Sequence, residues 1–352
     1  MSAIAPRPAS NETNTTLKLP PVIFGTSGLG NLYEVVPYAV KFEIIKESIK
    51  HAPEIPMFDT AGKYGAGLAL EVLGKCLKEL GVPKNGVIIS NKLGWYQTEL
   101  TTPQPTFERD IWKDMKNDAV QRISYKGIIE CFEQGNELLG DYDSQMASIH
   151  DPDEYLAAAT DTKDEAKRYD DILAAYTALN ELKQQGKINS VGVGAKNWRS
   201  IQRISKDVPL DWVMIANSLS LHSHPKELID FVGELHQQGT VIINSAVFNG
   251  GFLVGRDHYN YMLVDENTAQ GKALYKWRAE FFELCKEYNI QPAEACFAFG
   301  SNIPGVNSVA VSTVDPNKVK RNIEMATKKI PDAFWKAMKD KGLLEEHYQV
   351  NG

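Results

Sequence analysis

Short runs of β-branched and other apolar residues recur along the chain, and amphipathic stretches with helical spacing separate them. The predicted strands fall at residues 21–25, 55–59, 86–91, 145–150, 188–194, 212–217, 240–246 and 306–312. Several of them are almost continuously apolar, which is typical of parallel strands covered on both faces. Strands that alternate with helices in this way predict an α/β fold, a (β/α)8 TIM barrel with long loops at its C-terminal face.

The stretches between the strands have the pattern of amphipathic helices. In YAVKFEIIKESIKHA and LALEVLGKCLKELG, for example, apolar residues recur at steps of three and four. Gly81, Gly140, Gly186 and Gly239 stand where such stretches end, as glycines that close helices do. An open doubly wound sheet is the alternative, but it usually has fewer strands.

Two connecting segments, residues 93–123 and 252–271, are too long to be simple connections between a strand and a helix. Both leave the C-terminal ends of predicted strands, where the active sites of barrels are built. Residues 1–19 are polar and are expected to form a disordered N-terminal tail. No linker-like stretch interrupts residues 20–340, so residues 20–352 are predicted to form one barrel domain.

The net charge of −7 predicts no basic surface that would attract nucleic acid or anionic lipid. No run approaches the roughly 20 apolar residues that a membrane span needs, and no signal peptide is recognisable. Cys76, Cys131, Cys285 and Cys296 have no metal-type spacing and are expected to be reduced, buried thiols. We expect a cytoplasmic protein, a monomer or small homo-oligomer, with a small-molecule substrate and neither nucleic acid nor membrane as partner.

Glycine is frequent directly after the first strand, at Gly25, Gly28 and Gly30. The order is G-x-x-G-x-G, whereas the dinucleotide fingerprint of the doubly wound fold is G-x-G-x-x-G. Asp59 also lies too far along the chain to be the acidic residue that such a site places on the ribose. A flexible turn that opens a barrel loop is the better interpretation.

Ionisable residues cluster at the ends of three consecutive strands. Asp59 and Tyr64 belong to FDTAGKYG, Lys92 to IISNKLGW and His150 to SIHDPD. In a closed barrel these ends are neighbours, so the four side chains are expected to converge. Lys92 would lower the pKa of Tyr64, and Asp59 would pair with the lysine. His150 would orient a substrate oxygen, which makes Tyr64 a general acid or base in an oxidoreductase that needs a nicotinamide.

Each of these residues also has an ordinary structural explanation. An Asp–Lys pair can be purely structural, and a histidine after a strand is often only a hydrogen-bonded loop residue. Asp151 and Asp153 suggest a barrel hydrolase, but they belong to one loop and do not face each other across a cleft. His222 and His224 lack a third ligand at metal-binding spacing, so a solvent-facing loop is favoured and no metal is predicted.

The four blocks FDTAGKYG, IISNKLG, SIHDPD and GKINSVGVGAKNW resemble, in order and spacing, those of the aldo-keto reductase superfamily over residues 21–325. This resemblance implies a catalytic tetrad of Asp59, Tyr64, Lys92 and His150. SGLGNLYE, HDPDEYLAA and AVFNGGFLVG further resemble the branch of D-threo-aldose 1-dehydrogenases and L-fucose dehydrogenases. Oxidation of an aldose at its C1 hydroxyl to a lactone is therefore expected.

The same resemblance implies a set of contacts to NAD or NADP. Asn217 would hold the carboxamide of the nicotinamide, Phe248 would stack on its ring and Asn322 would contact the adenine. A basic residue often follows the eighth strand in members that prefer NADP, and Ser312 stands there in this chain, which favours NAD. The assigned cofactor-binding residues are Gly25, Thr26, Asn197, Asn217, Phe248, Ser312, Lys318 and Asn322.

Trp95, in the first long loop, is assigned to the substrate pocket because sugars stack well on tryptophan; Trp112 lies near the same loop. The alternative is that a tryptophan packs this loop against the barrel. Three alternatives to the aldose dehydrogenase stay open. A pyridoxal dehydrogenase and a general aldehyde reductase would use the same tetrad. A regulatory subunit that binds nucleotide with little turnover belongs to a different class, and it would not need Tyr64 and Lys92 together.

Overall fold

The computed structural model describes residues 17–348, and at its centre eight parallel strands form a closed barrel. The barrel strands, β1–β8 in chain order, are Val22–Gly25, Met57–Ala61, Ile88–Leu93, Met146–His150, Ser190–Ala195, Trp212–Ala216, Val241–Ser245 and Val306–Val311. Each pairs with the next strand along the chain, and β8 pairs with β1. The predicted (β/α)8 TIM barrel is confirmed. Residues 1–16 of the predicted N-terminal tail lie outside the described residues.

Helices surround the barrel on the outside of the strands. Their bounds are Tyr38–His51, Leu68–Glu79, Tyr125–Leu139, Pro152–Ala157, Thr162–Gln184, Trp198–Asp207, Lys226–Gln237, Ala269–Glu287, Pro292–Asn302, Val319–Glu324 and Asp332–Asp340. Gly81, Gly140, Gly186 and Gly239 have φ between 66° and 81°, as expected of residues that follow helix ends. Between residues 17 and 348, no helix is long and apolar enough to cross a membrane.

The sequence pattern did not reveal the helices Pro292–Asn302 and Asp332–Asp340. The first of them is buried over residues 294–300, so it has no polar face to mark its period. Its N-terminus nevertheless carries a capping box, in which Gln291 and Glu294 each bond the other's backbone N–H. This local signal could have located the helix from the sequence.

Two of the strand bounds change the setting of the catalytic candidates. Asp59 was predicted to end the second strand and Lys92 to follow the third, whereas both residues lie inside β2 and β3. Asp59 is opposite Ser90 in the register, and Lys92 is opposite Ala61. Because barrel strands run continuously into the mouth, these two side chains are more deeply buried than loop residues would be.

The predicted long loops both form small antiparallel hairpins at the mouth of the barrel. The first contains Trp95–Glu99 paired with Asn117–Gln121, and the second contains His258–Tyr259 paired with Met262–Leu263. The first hairpin also makes a bridge from Trp112 to Leu32 in the loop after β1. Both segments therefore extend over the C-terminal face, where they can line a site.

Glycine allows close approach where Leu68–Glu79 packs against Tyr125–Leu139. A Cβ on Gly74 would lie 2.1 Å from the backbone oxygen of Leu139, whereas one on Gly233 would meet nothing within 4 Å. Both glycines are in helices, where alanine is intrinsically favoured by about 1 kcal/mol.

We predict opposite effects for the same substitution at these two glycines. Gly74→Ala should lower the free energy of unfolding by about 2–3 kcal/mol, because two backbones would have to separate. Gly233→Ala should raise it by about 0.5–1 kcal/mol. Urea unfolding of both variants measures this difference. Equal stabilities for the two variants would contradict the packing described.

Candidate active site

A buried ion pair joins β2 and β3 at the mouth of the barrel. The Lys92 Nζ donates a hydrogen bond to the Asp59 Oδ2, and the Ser90 hydroxyl donates to the Asp59 Oδ1 at 3.4 Å. The side chains of Lys92 and Asp59 are only 4% and 5% exposed. Burial raises the pKa of Asp59, and Lys92 opposes that effect. Each charge would be costly to bury without the other.

Tyr64 lies in the turn after β2, above this pair. The Lys92 Nζ is 4.8 Å from the centre of its ring, and the His150 ring is 5.5 Å away in an edge-on orientation. A Cβ on Gly30 would lie 2.7 Å from the backbone of Tyr64, so the glycine-rich turn after β1 packs directly against the tyrosine. The structure thus brings Asp59, Tyr64, Lys92 and His150 together, as the strand order predicted.

The site holds Tyr64 in its phenol form and His150 as a neutral imidazole. Burial raises the pKa of Tyr64 well above its ordinary value, and the charges of Asp59 and Asp151 act in the same direction. Burial also lowers the pKa of His150 well below its ordinary value. Lys92 was expected to lower the pKa of Tyr64, and here burial dominates instead. Both groups can therefore donate a hydrogen bond to one substrate oxygen.

A second group of charged residues lies beside the tetrad, and the sequence analysis did not identify it. This Lys63 cluster comprises Lys63, Glu108, Asp151, Glu154 and Lys196. The Nζ of Lys63 is 2.7 Å from a Glu108 oxygen, 3.1 Å from an Asp151 oxygen and 2.7 Å from a Glu154 oxygen. Lys196 contacts Glu154 and lies 3.4 Å from Asp151.

Lys63 and Asp151 are the two deeply buried members of the cluster, and both keep their charges. Burial lowers the pKa of Lys63, but Asp151, Glu108 and Glu154 outweigh it and raise that pKa above its usual range. Burial likewise raises the pKa of Asp151, whereas the positive charges of Lys63 and Lys196 hold it below its usual range. The sequence signal for this cluster was a lysine directly before Tyr64, in a segment whose other charged residue is Asp59.

The tetrad and the Lys63 cluster line one cavity of about 680 Å³, which is in the range of small-molecule sites. Of the predicted cofactor contacts, Gly25, Phe248, Ser312, Lys318 and Asn322 line it as well. The segment after β8 also contributes Thr313, Val314, Asp315 and Arg321. The cavity therefore extends from the charged cluster, past Tyr64, to the loop after β8.

Asn217 follows Ala216, a residue of the cavity wall, and its side chain is buried with 4% exposure. Among the described residues, neither the oxygen nor the nitrogen of its amide has a hydrogen-bond partner. A buried amide without partners is costly, and a primary carboxamide such as that of nicotinamide would satisfy both atoms. The residues present thus fit a nicotinamide nucleotide.

Three assigned residues have other roles in the structure. Thr26 lies off the cavity wall, and its hydroxyl donates to the Asp59 carbonyl at 3.0 Å. Asn197 accepts from the Arg199 N–H as the N-cap of Trp198–Asp207, and the preceding Lys196 lines the cavity instead. Trp95 is not part of the cavity wall; it packs against Phe107, with ring centres 5.2 Å apart, and the Lys63 Nζ lies 5.3 Å from its ring centre.

The aromatic residue that this loop presents to the cavity is Trp112, 5.6 Å from the Tyr64 ring.

His222 and His224 do not form the expected solvent-facing loop. His224 is 5% exposed and bonds the Ser220 carbonyl, while His222 bonds the Tyr259 hydroxyl at 2.8 Å. No group of three or more potential metal ligands was found within residues 17–348. The four cysteines are free and buried, as predicted.

Comparison with known proteins identifies the family. The model described as "Aldo/keto reductase family" matches residues 21–342. The chain belongs to this family. It is an oxidoreductase of the aldo-keto reductase type, and the resemblance seen in the sequence is confirmed.

Two relatives match nearly the whole chain at low identity. Pyridoxal 4-dehydrogenase from Microbacterium luteolum is 26% identical over 335 residues, which cover 91% of this chain and 93% of the relative. D-threo-aldose 1-dehydrogenase from a Pseudomonas species is 24% identical over 346 residues, which cover 93% and 95%. At this distance the relatives do not decide between their two substrates.

Solved structures show the same fold. An aldo-keto reductase from Bacillus halodurans, in its holo form, has a TM-score of 0.65 at 19% identity and covers 92% of both chains. An aldo/keto reductase from Klebsiella pneumoniae, in complex with NADP and acetate, has a TM-score of 0.60 at 15% identity and covers 95% of both.

We predict that Asp153→Asn stabilises the protein in a pH-dependent way. Burial raises the pKa of Asp153 to about 6, and the charge of Asp151 adds to this. Its Oδ2 accepts from the Asn197 N–H at 2.8 Å, and an asparagine oxygen can keep that bond. Since the folded state binds this proton more tightly than the unfolded state, stability is lost as pH rises from about 4 to 6.

The Asn variant should therefore be more stable than the native protein by about 1–3 kcal/mol at pH ~7.5 and nearly equal at pH ~4. Urea unfolding at the two pH values gives the comparison. A stability difference between the two proteins that does not change with pH would show that burial does not raise the pKa of Asp153.

Proposed function

We propose that this enzyme oxidises the C1 hydroxyl of an aldose, such as L-fucose or another D-threo-aldose, to the lactone. The observation that carries the proposal is the Lys63 cluster beside Tyr64 and His150, because charged groups in a cavity suit a substrate with several hydroxyls. The similarity to D-threo-aldose 1-dehydrogenase points in the same direction.

In this proposal the reacting oxygen binds between Tyr64 and His150. The neutral imidazole donates a hydrogen bond that fixes this oxygen, and the Tyr64 hydroxyl exchanges the proton with it. Oxidation requires Tyr64 first to release its own proton to solvent, and the Lys92 ammonium, 4.8 Å from the ring centre, stabilises the phenolate that then accepts the proton of the substrate hydroxyl. Asp59 holds the Lys92 ammonium in place.

A nicotinamide nucleotide would supply the hydride acceptor. Phe248, Ser312, Lys318 and Asn322 would hold it, because they line the cavity after β7 and β8. Asn217, which is buried next to the lining residue Ala216, would bind its carboxamide. Gly28 allows the loop after β1 to approach that side, since a Cβ there would lie 2.9 Å from Val314. In this proposal the cofactor would lie on the side of the cavity away from the Lys63 cluster.

The substrate is tested by following reduced nicotinamide while the protein is mixed with L-fucose, L-galactose, D-arabinose or pyridoxal, each with NAD and with NADP. We predict turnover of the sugars. Tyr64→Phe should lower kcat at least 100-fold, because the proton acceptor is lost, while nucleotide binding is retained.

Oxidation of pyridoxal but of none of the sugars would contradict the proposed substrate and favour a pyridoxal dehydrogenase. Nucleotide binding without turnover of any of the four would favour an aldehyde reductase or a regulatory subunit. Full activity of Tyr64→Phe would contradict the proposed role of the tyrosine.

We further propose a preference for NAD. Ser312 carries no charge, and Lys318 lies 3.9 Å from the Asp315 carboxylate, which offsets its attraction for a phosphate. Asp315 itself lines the cavity and would repel the 2′-phosphate of NADP.

Asp315→Asn should accordingly raise kcat/KM for NADP relative to NAD by about three- to tenfold. The asparagine can keep the bond that the Asp315 Oδ1 accepts from the Asn317 N–H. Glu324→Gln is the matched control, since Glu324 pairs with Lys320 and lies off the cavity wall. An unchanged ratio in Asp315→Asn, or the same change in both variants, would count against this preference.

A further inference from the structure

Asp151 lies between the tetrad and the two lysines of the Lys63 cluster. Its Oδ2 is 3.1 Å from the Lys63 Nζ, 3.4 Å from the Lys196 Nζ and 3.6 Å from the His150 Nε2. The side chain is 7% exposed and lines the cavity. A carboxylate thus stands next to the imidazole that would hold the reacting oxygen.

The Asp151 carboxylate can accept further hydrogen bonds. In the part of the chain that the structure describes, the Lys63 ammonium donates to its Oδ2 at 3.1 Å. A carboxylate has about four lone-pair sites, so this bond leaves others open. A hydroxyl on a ligand in the cavity would bind at one of them.

The position of Asp151 is fixed by its surroundings. Its backbone has a φ of 48°, in the left-handed region that a residue other than glycine adopts at a cost. Its N–H donates to the Gly194 carbonyl at 2.9 Å, and Pro152 follows as the first residue of a helix. Such a conformation persists only when the neighbouring contacts require it.

Lys63 acts on Asp151 as a positioning residue. Its ammonium has three N–H donors, and three carboxylates, those of Glu108, Asp151 and Glu154, surround it. It therefore has no donor left for a substrate, and its contribution is to hold Asp151 in place.

We propose that Asp151 determines the specificity of the enzyme by accepting a hydrogen bond from the hydroxyl on the carbon next to the one that is oxidised. This inference rests on the proposed function. When the reacting oxygen bonds His150, the oxygen of a vicinal hydroxyl lies ~2.9 Å from the reacting oxygen, which is about the length of a hydrogen bond. The Asp151 carboxylate, 3.6 Å from the same imidazole nitrogen, is within reach of that hydroxyl.

The native enzyme provides the first test. We expect kcat/KM for 2-deoxy-L-fucose to be about 30- to 100-fold lower than for L-fucose, as when a hydrogen bond to a charged group is lost. L-galactose differs from L-fucose only by a hydroxyl at C6, and its kcat/KM should stay within about fivefold, because that hydroxyl is remote from Asp151.

Variants test whether Asp151 causes the preference for L-fucose over 2-deoxy-L-fucose. Asp151→Asn should lower kcat/KM for L-fucose at least tenfold and change that for 2-deoxy-L-fucose less than threefold, so that the preference collapses. Asp143→Asn is the matched control, because this exposed aspartate precedes β4 and pairs with the exposed Lys84. It should leave both values unchanged.

Equal kcat/KM for L-fucose and 2-deoxy-L-fucose in the native enzyme would overturn the inference and leave the proposed function intact. A preference that is undiminished in Asp151→Asn would do the same. If Asp151→Asn fails to fold, the comparison of the three sugars with the native enzyme is decisive. The inference requires removal of the C2 hydroxyl to lower kcat/KM by more than addition of the C6 hydroxyl changes it. Oxidation of pyridoxal but of no sugar would overturn the proposed function and this inference together.

Discussion

The structure depends on the pairing of buried lysines at the mouth of the barrel. An ammonium without a partner would cost several kcal/mol in this position, so each lysine requires a carboxylate nearby. Lys92 finds Asp59 on the neighbouring strand, and Lys63 finds three carboxylates on the segments after β3 and β4. These ion pairs therefore fix the hairpin loop, the end of β4 and the turn of Tyr64 relative to one another.

Parallel strands make this arrangement possible with few residues. Lys92 lies opposite Ser148 in the register, and His150 lies opposite Gly194. Gly194 has no side chain, and a Cβ there would come within 3.0 Å of the Lys92 stem. The barrel thus leaves one open volume above its packed interior, and the ionisable groups of adjacent strands face that volume. The proton chemistry follows from burial as much as from charge.

The sequence was sufficient to predict the barrel and the convergence of the tetrad. Both follow from local pattern, since apolar runs give the strands and the strand order gives the neighbours. It was not sufficient for side chains whose direction depends on tertiary packing. Trp95 turns towards Phe107, and Asn197 caps a helix, although both stand in plausible places along the chain. A motif indicates position, but the hairpin and the cap decide orientation.

The Lys63 cluster could not be predicted from the sequence either. Its members come from separate segments, and their significance lies in the distances between them, which no sequence spacing reveals. Lys63 would have passed for an exposed loop residue, yet it is 2% exposed in the structure. The helix Pro292–Asn302 was missed for the opposite reason, because it is buried on nearly all sides and has no amphipathic period.

The most direct test of the account is a crystal structure of the Tyr64→Phe variant with NAD and L-fucose bound. The account predicts that the C1 hydroxyl lies within hydrogen-bonding distance of the His150 Nε2, with the nicotinamide carboxamide on Asn217. A sugar bound elsewhere in the cavity, or a nicotinamide on the side of the Lys63 cluster, would contradict it.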